Sequence, residues 1–261
     1  MTLGPSIGLI VAVAVVVAIA GAVNGIAGFG FAVVGTMALA STLDPAVAVV
    51  FMILPIFAVN VALVTEIAAA DLRRCGVRFG PLLIATLVGT VVGMSVLDRL
   101  PTAPLRLLLG VVTLVFVATT QQLRPLPRPS FAGDGSRLSG PVGMVAIGGA
   151  SGLLFGATNV GVQLVAYLRS FDLRHGLFVG VVALVFVGVN GIRIGAAAAF
   201  GLYPTVGFLS ASVAAAIPAV AGVAVGKRLR RRVTERIRRA IVLWLLTGIG
   251  VRLLLGGAGI V

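Results

Sequence analysis

Arg193 is the only charge between Val179 and Phe200, in a run that is otherwise almost entirely apolar. A charged side chain in such a run is costly unless it faces a cavity, meets polar partners or reaches the interface, so it marks a functional position by default. Asn190 precedes it by three residues and shares its helix face. Three more asparagines stand in apolar surroundings: Asn24, Asn60 and Asn159. Two of these fall in glycine-rich interruptions. Asn24-Gly25-Ile26-Ala27-Gly28-Phe29-Gly30 divides one apolar run, and Gly156-Ala157-Thr158-Asn159-Val160-Gly161-Val162-Gln163 divides another. Glycine permits a sharp change of direction, and a helix starting after it turns bare N–H groups and its positive end inward. An anion is favoured at such a start. The expected binding set is therefore Asn24, Gly25, Gly28, Gly30, Asn60, Gly156, Thr158, Asn159, Gly161, Gln163, Asn190 and Arg193. Plainer accounts compete with it. The glycines would let helices approach closely, Asn60 and Asn190 would bridge helices, and Arg193 would snorkel to the outer interface near Phe200.

Catalysis finds little to work with. His175 and Cys75 are the only residues of their types, which leaves no cluster for zinc or haem and no disulfide framework. Asp44, Glu66, Asp71, Asp98, Asp134, Asp172 and Glu235 all fall near the ends of apolar runs or between them. No buried pair of acids and no nucleophile with a base can be assembled, so neither an enzyme nor a cofactor is expected. Glu66 is the best remaining carboxylate for ion coupling, although a helix-end charge in water explains it more simply.

The elements that must position these residues are membrane helices. Of 261 residues, 59% are apolar and 10% charged, and mean hydropathy is +1.19, outside the range of soluble domains. Runs of spanning length cover 5–23, 45–65, 77–97, 104–122, 139–157, 174–200, 205–226 and 238–256. Shorter stretches, 28–43 and 158–168, follow the first and fifth. The expectation is an all-α integral membrane fold of about eight full spans and two half-helices. The first run lacks a preceding positive charge and is too long for a signal peptide, so it reads as a retained helix. Residues 123–138, with Pro125, Pro127, Pro129, Gly133 and Gly135, read as a cytoplasmic linker between repeats at 1–122 and 139–261.

Similar punctuation recurs in the two halves. The offset is 127 or 128 at the glycine stretch, 128 at Asp44 and Asp172, 130 at Asn60 and Asn190, and 133 at Gly89/Gly93 and Gly222/Gly226. Charge then orients the halves. Placing 66–78, the linker, 169–175 and 227–239 in the cytoplasm puts 16 of 20 basic residues there, leaving Arg99, Arg106 and Arg252 outside and Arg193 within a span. Equivalent loops fall on opposite sides, so the repeats are expected to be inverted. Membrane topology thus accounts for the net charge of +13 without nucleic acid.

Asn24-Gly-Ile-Ala-Gly-Phe-Gly-Phe-Ala-Val-Val, Leu39, Asp44-Pro-Ala-Val-Ala, Ser151-Gly-Leu-Leu-Phe-Gly-Ala-Thr-Asn-Val-Gly, Tyr167-Leu168 and Asp172-Leu-Arg together resemble the sulfite exporter TauE/SafE family of membrane permeases over nearly the whole chain. The chain departs from that family's pattern at Phe29 and Phe31 and at Thr158-Asn159-Val160. The resemblance implies a permease for sulfite, a sulfonate or another small organic anion. The expected partners are that anion and the lipid bilayer of a prokaryotic plasma membrane, with a homodimer left open. A non-transporting scaffold or assembly subunit and a passive anion channel are the alternatives.

Overall fold

The computed structural model describes residues 7–27, 30–64, 77–97, 99–121, 140–169, 171, 175–230, 232 and 234–260. Among them every regular element is a helix: α1 (Ile7–Ala27), α2 (Phe31–Ala40), α3 (Pro45–Phe51), α4 (Ile53–Val64), α5 (Gly80–Leu97), α6 (Thr102–Gln121), α7 (Pro141–Thr158), α8 (Val162–Arg169), α9 (His175–Ala199), α10 (Val206–Arg230) and α11 (Glu235–Gly257). Six stretches are long and apolar enough to cross a membrane: Ile7–Ile26, Pro45–Val64, Gly80–Leu97, Pro141–Thr158, Gly180–Ala199 and Val206–Arg230. Among the described residues, α6 and α11 carry shorter apolar stretches, Thr102–Val115 and Leu243–Gly257. Helices α2 and α8 correspond to the two short stretches expected at 28–43 and 158–168. The linker at 123–138, Glu66, Asp71, Cys75, Asp98, Asp134 and Asp172 lie outside the described residues.

Local chemistry fixes the ends. Asp44 caps α3, its Oδ1 accepting from the N–H groups of Ala46 (2.9 Å) and Val47 (3.2 Å), while Pro45 fills the first helical position, where no N–H is needed. Pro55 lies three residues into α4 and cannot donate to the carbonyl of Phe51. That carbonyl instead accepts from the buried Ser212 hydroxyl of α10 at 2.6 Å. The proline therefore stays within the span Pro45–Val64 without leaving an orphan acceptor.

The chain divides into two compact units that cut across the sequence halves: Met1–Val59, Pro101–Val117 and Tyr203–Val261 form one, and Asn60–Leu100 with Ala118–Leu202 the other. In the first unit α1 packs on α10 through small residues. A Cβ placed on Gly21 would stand 2.3 Å from the Ala219 oxygen, and one on Gly25 would stand 2.3 Å from the Val223 oxygen. Gly222 and Gly226 meet Ala18 and Ala22 equally closely. Only glycine lets two backbones approach this far. The contacts advance together along both helices, so α1 and α10 run parallel. Helices α6 and α11 of the same unit pack antiparallel, Gly110 facing Leu254, Leu114 facing Gly250 and Leu107 facing Gly257.

In the second unit α5 packs on α7, also parallel. Gly89 meets Gly149, Gly93 meets Leu153, Gly152 meets Thr86 and Gly156 meets Thr90. The hydroxyls of Thr86 and Thr90 bond back to Leu82 and Thr86 carbonyls at 2.7 Å, so neither is stranded in the contact. Phe79, Leu82, Phe155, Leu164, Tyr167, Leu168 and Val185 join a core that seats α8 against α5, α7 and α9. Adding 131 to residue numbers in α1 and 133 to those in α5 converts each contact of this unit's pair into one of the α1–α10 pair, and the converse. Gly21–Ala219 corresponds to Gly152–Thr86, Gly25–Val223 to Gly156–Thr90, Gly222–Ala18 to Gly89–Gly149, and Gly226–Ala22 to Gly93–Leu153. The packing register is thus 131 at the first helix of each half, about one turn from the 127 or 128 that the sequence punctuation suggests.

Candidate functional site

The second interruption is built from its own polar side chains. Helix α7 ends at Thr158, and Asn159 takes the left-handed conformation (φ 61°, ψ 11°), its N–H donating to the Phe155 carbonyl at 2.9 Å. Asparagine tolerates this region better than most residues. The Thr158 hydroxyl donates to the Leu154 carbonyl (2.6 Å) and accepts from the Val160 N–H (3.2 Å), and the Gln163 amide donates to the Val160 carbonyl (3.1 Å). Gly161 lets the Phe186 ring lie where a Cβ would clash at 2.5 Å. These contacts set the distance between the end of α7 and the start of α8.

Into this turn α9 delivers Arg193. Its Nη1 donates to the Asn159 Oδ1 and, at 3.3 Å, to the Asn190 Oδ1, while its Nη2 donates to the Gly156 carbonyl at 3.4 Å. The guanidinium carbon stands 5.0 Å from the centre of the Phe155 ring, within cation–π range. Asn190 is fixed in turn, donating to the Phe186 carbonyl at 2.8 Å. Arg193, Asn159 and Asn190 are each 0% exposed. A fully buried guanidinium does not reach the interface, so snorkelling does not describe Arg193. Its described partners are neutral oxygens, two of them, from Gly156 and Asn159, at the C-terminal end of α7, whose partial negative charge lowers the cost of a cation there, and the third from Asn190 on α9 itself. Along α9, His175–Ala199, at about 1.5 Å per residue Arg193 stands about 9 Å from the midpoint and about 9 Å from the C-terminal end.

The first interruption is organised differently. Gly30 is left-handed at φ 102° and precedes α2, whose first N–H, from Phe31, donates to the Asn24 Oδ1 at 3.4 Å. Asn24 is buried and spends its oxygen on the new helix. Gly25 is pressed against α10, as Gly156 is against α5, so close packing accounts for both glycines, with Gly156 also offering its carbonyl to Arg193. Asn60 is half-buried on α4, and Gly28 lies outside the described residues. The structure thus gathers Gly156, Asn159, Asn190 and Arg193, while Thr158, Gly161 and Gln163 shape the turn that holds them. Phe155 is an addition that sequence reasoning missed, since a phenylalanine in an apolar helix carries no distinguishing signal.

The family model for sulfite exporter TauE/SafE matches residues 13–253, nearly the whole chain. The chain belongs to the sulfite exporter TauE/SafE family. No curated protein and no solved structure matches it. TauE/SafE proteins are membrane transporters rather than enzymes, and six helices of spanning length make this member a multi-pass membrane protein. Among the described residues of this TauE/SafE chain no group of three metal-ligating side chains occurs.

Proposed function

We propose that the chain is a secondary transporter that carries a small anion, of the sulfite or sulfonate kind, across a prokaryotic plasma membrane, and that Arg193 recognises it. One observation carries this reading: a guanidinium fully buried within a span, at a helix interruption, among the amides of Asn159 and Asn190. Side-chain amides are replaceable partners. An arriving oxyanion would accept from Nη1 and Nη2 in a bidentate pair, and the two amides would turn their NH2 groups toward it.

Inverted repeats give the transport step its form. The matched glycine contacts support equivalence of α1 with α7 and of α5 with α10. Helices α6 and α11 then correspond as the last of each half. They pack antiparallel, the relation expected of equivalent helices in inverted halves. Alternating access would arise as the two arrangements exchange around the interruptions. Proteoliposome flux with a panel of sulfite, sulfate, sulfonates and small carboxylates tests the proposal. Saturable uptake with countertransport of one member is expected, abolished in Arg193→Gln protein that still purifies folded. Flux that never saturates would assign a channel, and undiminished flux in Arg193→Gln would remove Arg193 from recognition.

A further inference from the structure

A second cationic feature lies in the unit built from α1, α2, α3, α6, α10 and α11, independent of the Arg193 turn. A cavity of about 200 Å³ is lined by Ala40 and Ser41 at the end of α2, Arg106 of α6, and Arg252, Leu253 and Gly256 of α11. At about 30 Å³ per water, it holds several waters or a small oxyanion with part of its hydration. Arg106 stands in the first two turns of α6, near the positive end of the helix, where a cation is disfavoured. Its Nε is buried and has no hydrogen-bond partner among the described residues. Arg252 suits its place better, lying near the C-terminal end of α11. Ser41 adds no donor, because its hydroxyl is given to the Ala38 carbonyl at 2.7 Å. Asp44, three residues beyond Ser41, offers no ion pair among the described residues either. Its Oδ1 serves α3 and its Oδ2 accepts from the Thr102 hydroxyl at 2.9 Å. Two arginines therefore line one cavity, and one keeps a buried N–H without an acceptor among the described residues.

We infer that this cavity binds an oxyanion, Arg106 donating through its Nε and Arg252 through its guanidinium edge. The charge rule points the same way. The topology expected from loop charge leaves Arg106 and Arg252 among the three outer arginines, against the usual bias, so their meeting at one cavity suits a ligand of opposite charge. A soluble anion on its way to or from the membrane interior and the phosphate of an anionic lipid share this chemistry.

Calorimetric titration of inorganic sulfite into the full chain, purified in detergent free of anionic lipid, distinguishes the sources. A binding event that survives Arg193→Gln and weakens by tenfold or more in Arg106→Gln, in Arg252→Gln and in the double variant is expected for a soluble anion. Because that event is read in Arg193→Gln protein, its presence does not depend on the transport proposal. Phosphatidylglycerol that stays with the wild type through delipidation, but not with the double variant, would assign the same site to a lipid phosphate. Arg106→Lys/Arg252→Lys, which keeps both charges, should retain ligand in either case, and Arg252→Gln alters an exposed residue and so carries the test if the double variant does not fold. Equal sulfite binding and equal lipid retention in wild type and Arg252→Gln would overturn the inference.

Discussion

Replacing Asn159 with aspartate changes one atom and one charge at the centre of the proposed site. The new carboxylate would lie where the Asn159 Oδ1 now accepts from the Arg193 Nη1, so the pair forms without rearrangement. Aspartate also tolerates the left-handed backbone at φ 61°, which keeps strain out of the comparison. A substrate anion would now meet a guanidinium already paired with a fixed negative charge. At about 4 Å and an effective dielectric constant near 20, a unit charge contributes about 4 kcal/mol, so binding should weaken roughly 10³-fold. The folded state should not suffer, because a neutral acceptor of Arg193 has become a charged one. Asn159→Gly is the control: it removes the amide, keeps the backbone conformation, and should reduce affinity by about tenfold or less. Calorimetric titration and proteoliposome flux, paired with thermal unfolding in detergent, read all three proteins. If Asn159→Asp binds and transports as the wild type does, Arg193 does not recognise the anion and the reasoning fails.

Ser212→Ala should cost about 1–3 kcal/mol of stability by stranding the Phe51 carbonyl, and adding Pro55→Ala should restore most of it by supplying the missing N–H; a double-mutant cycle in thermal unfolding with no coupling would reject that pairing. Gly25→Ala and Gly156→Ala, at equivalent contacts of 2.3 Å with backbone oxygens, should each destabilise by about 1–3 kcal/mol and to a similar extent, whereas Gly149→Ala, whose Cβ meets nothing within 4 Å, should be close to neutral. Cys75 is the only thiol, and placing its loop in the cytoplasm means that an impermeant maleimide should label it only after the membrane is opened; labelling in intact cells would reverse the orientation.

The helices were legible because a bilayer demands them: the runs at 45–65, 77–97 and 205–226 correspond closely to Pro45–Val64, Gly80–Leu97 and Val206–Arg230. Arg193 and Asn190 were legible together, since a spacing of three puts two polar groups on one apolar face. What joins them to Asn159 was not, because the link runs across 34 residues and depends on how α7 and α9 pack. The matched packing contacts differ by about a turn from the offset of the sequence punctuation for a related reason. Glycines that make an interruption and glycines that let helices touch look alike in sequence, and Gly25 and Gly156 turn out to be contact glycines. Ser212 gave no signal of its own, although Pro55 inside a span already implied a displaced carbonyl needing some donor.

Matched packing does not make the two interruptions chemically equal. By the register of 131, Asn24 corresponds to Phe155 and Asn159 to Gly28, so neither asparagine has an asparagine counterpart in the other half. Asn24 gives its oxygen to a backbone N–H, which caps α2 but also removes a donor that an anion would have used. Asn159 gives its oxygen to a guanidinium, and Arg193 sits where it can exchange that oxygen for one of a ligand. On the proposed reading, the half containing α7, α8 and α9 would hold the chemistry of recognition, while the half containing α1 and α2 has its polar group already committed to a backbone N–H. An asymmetric site on a repeated frame follows, in which substitution of Asn24 should affect folding more than affinity and substitution of Asn159 the reverse.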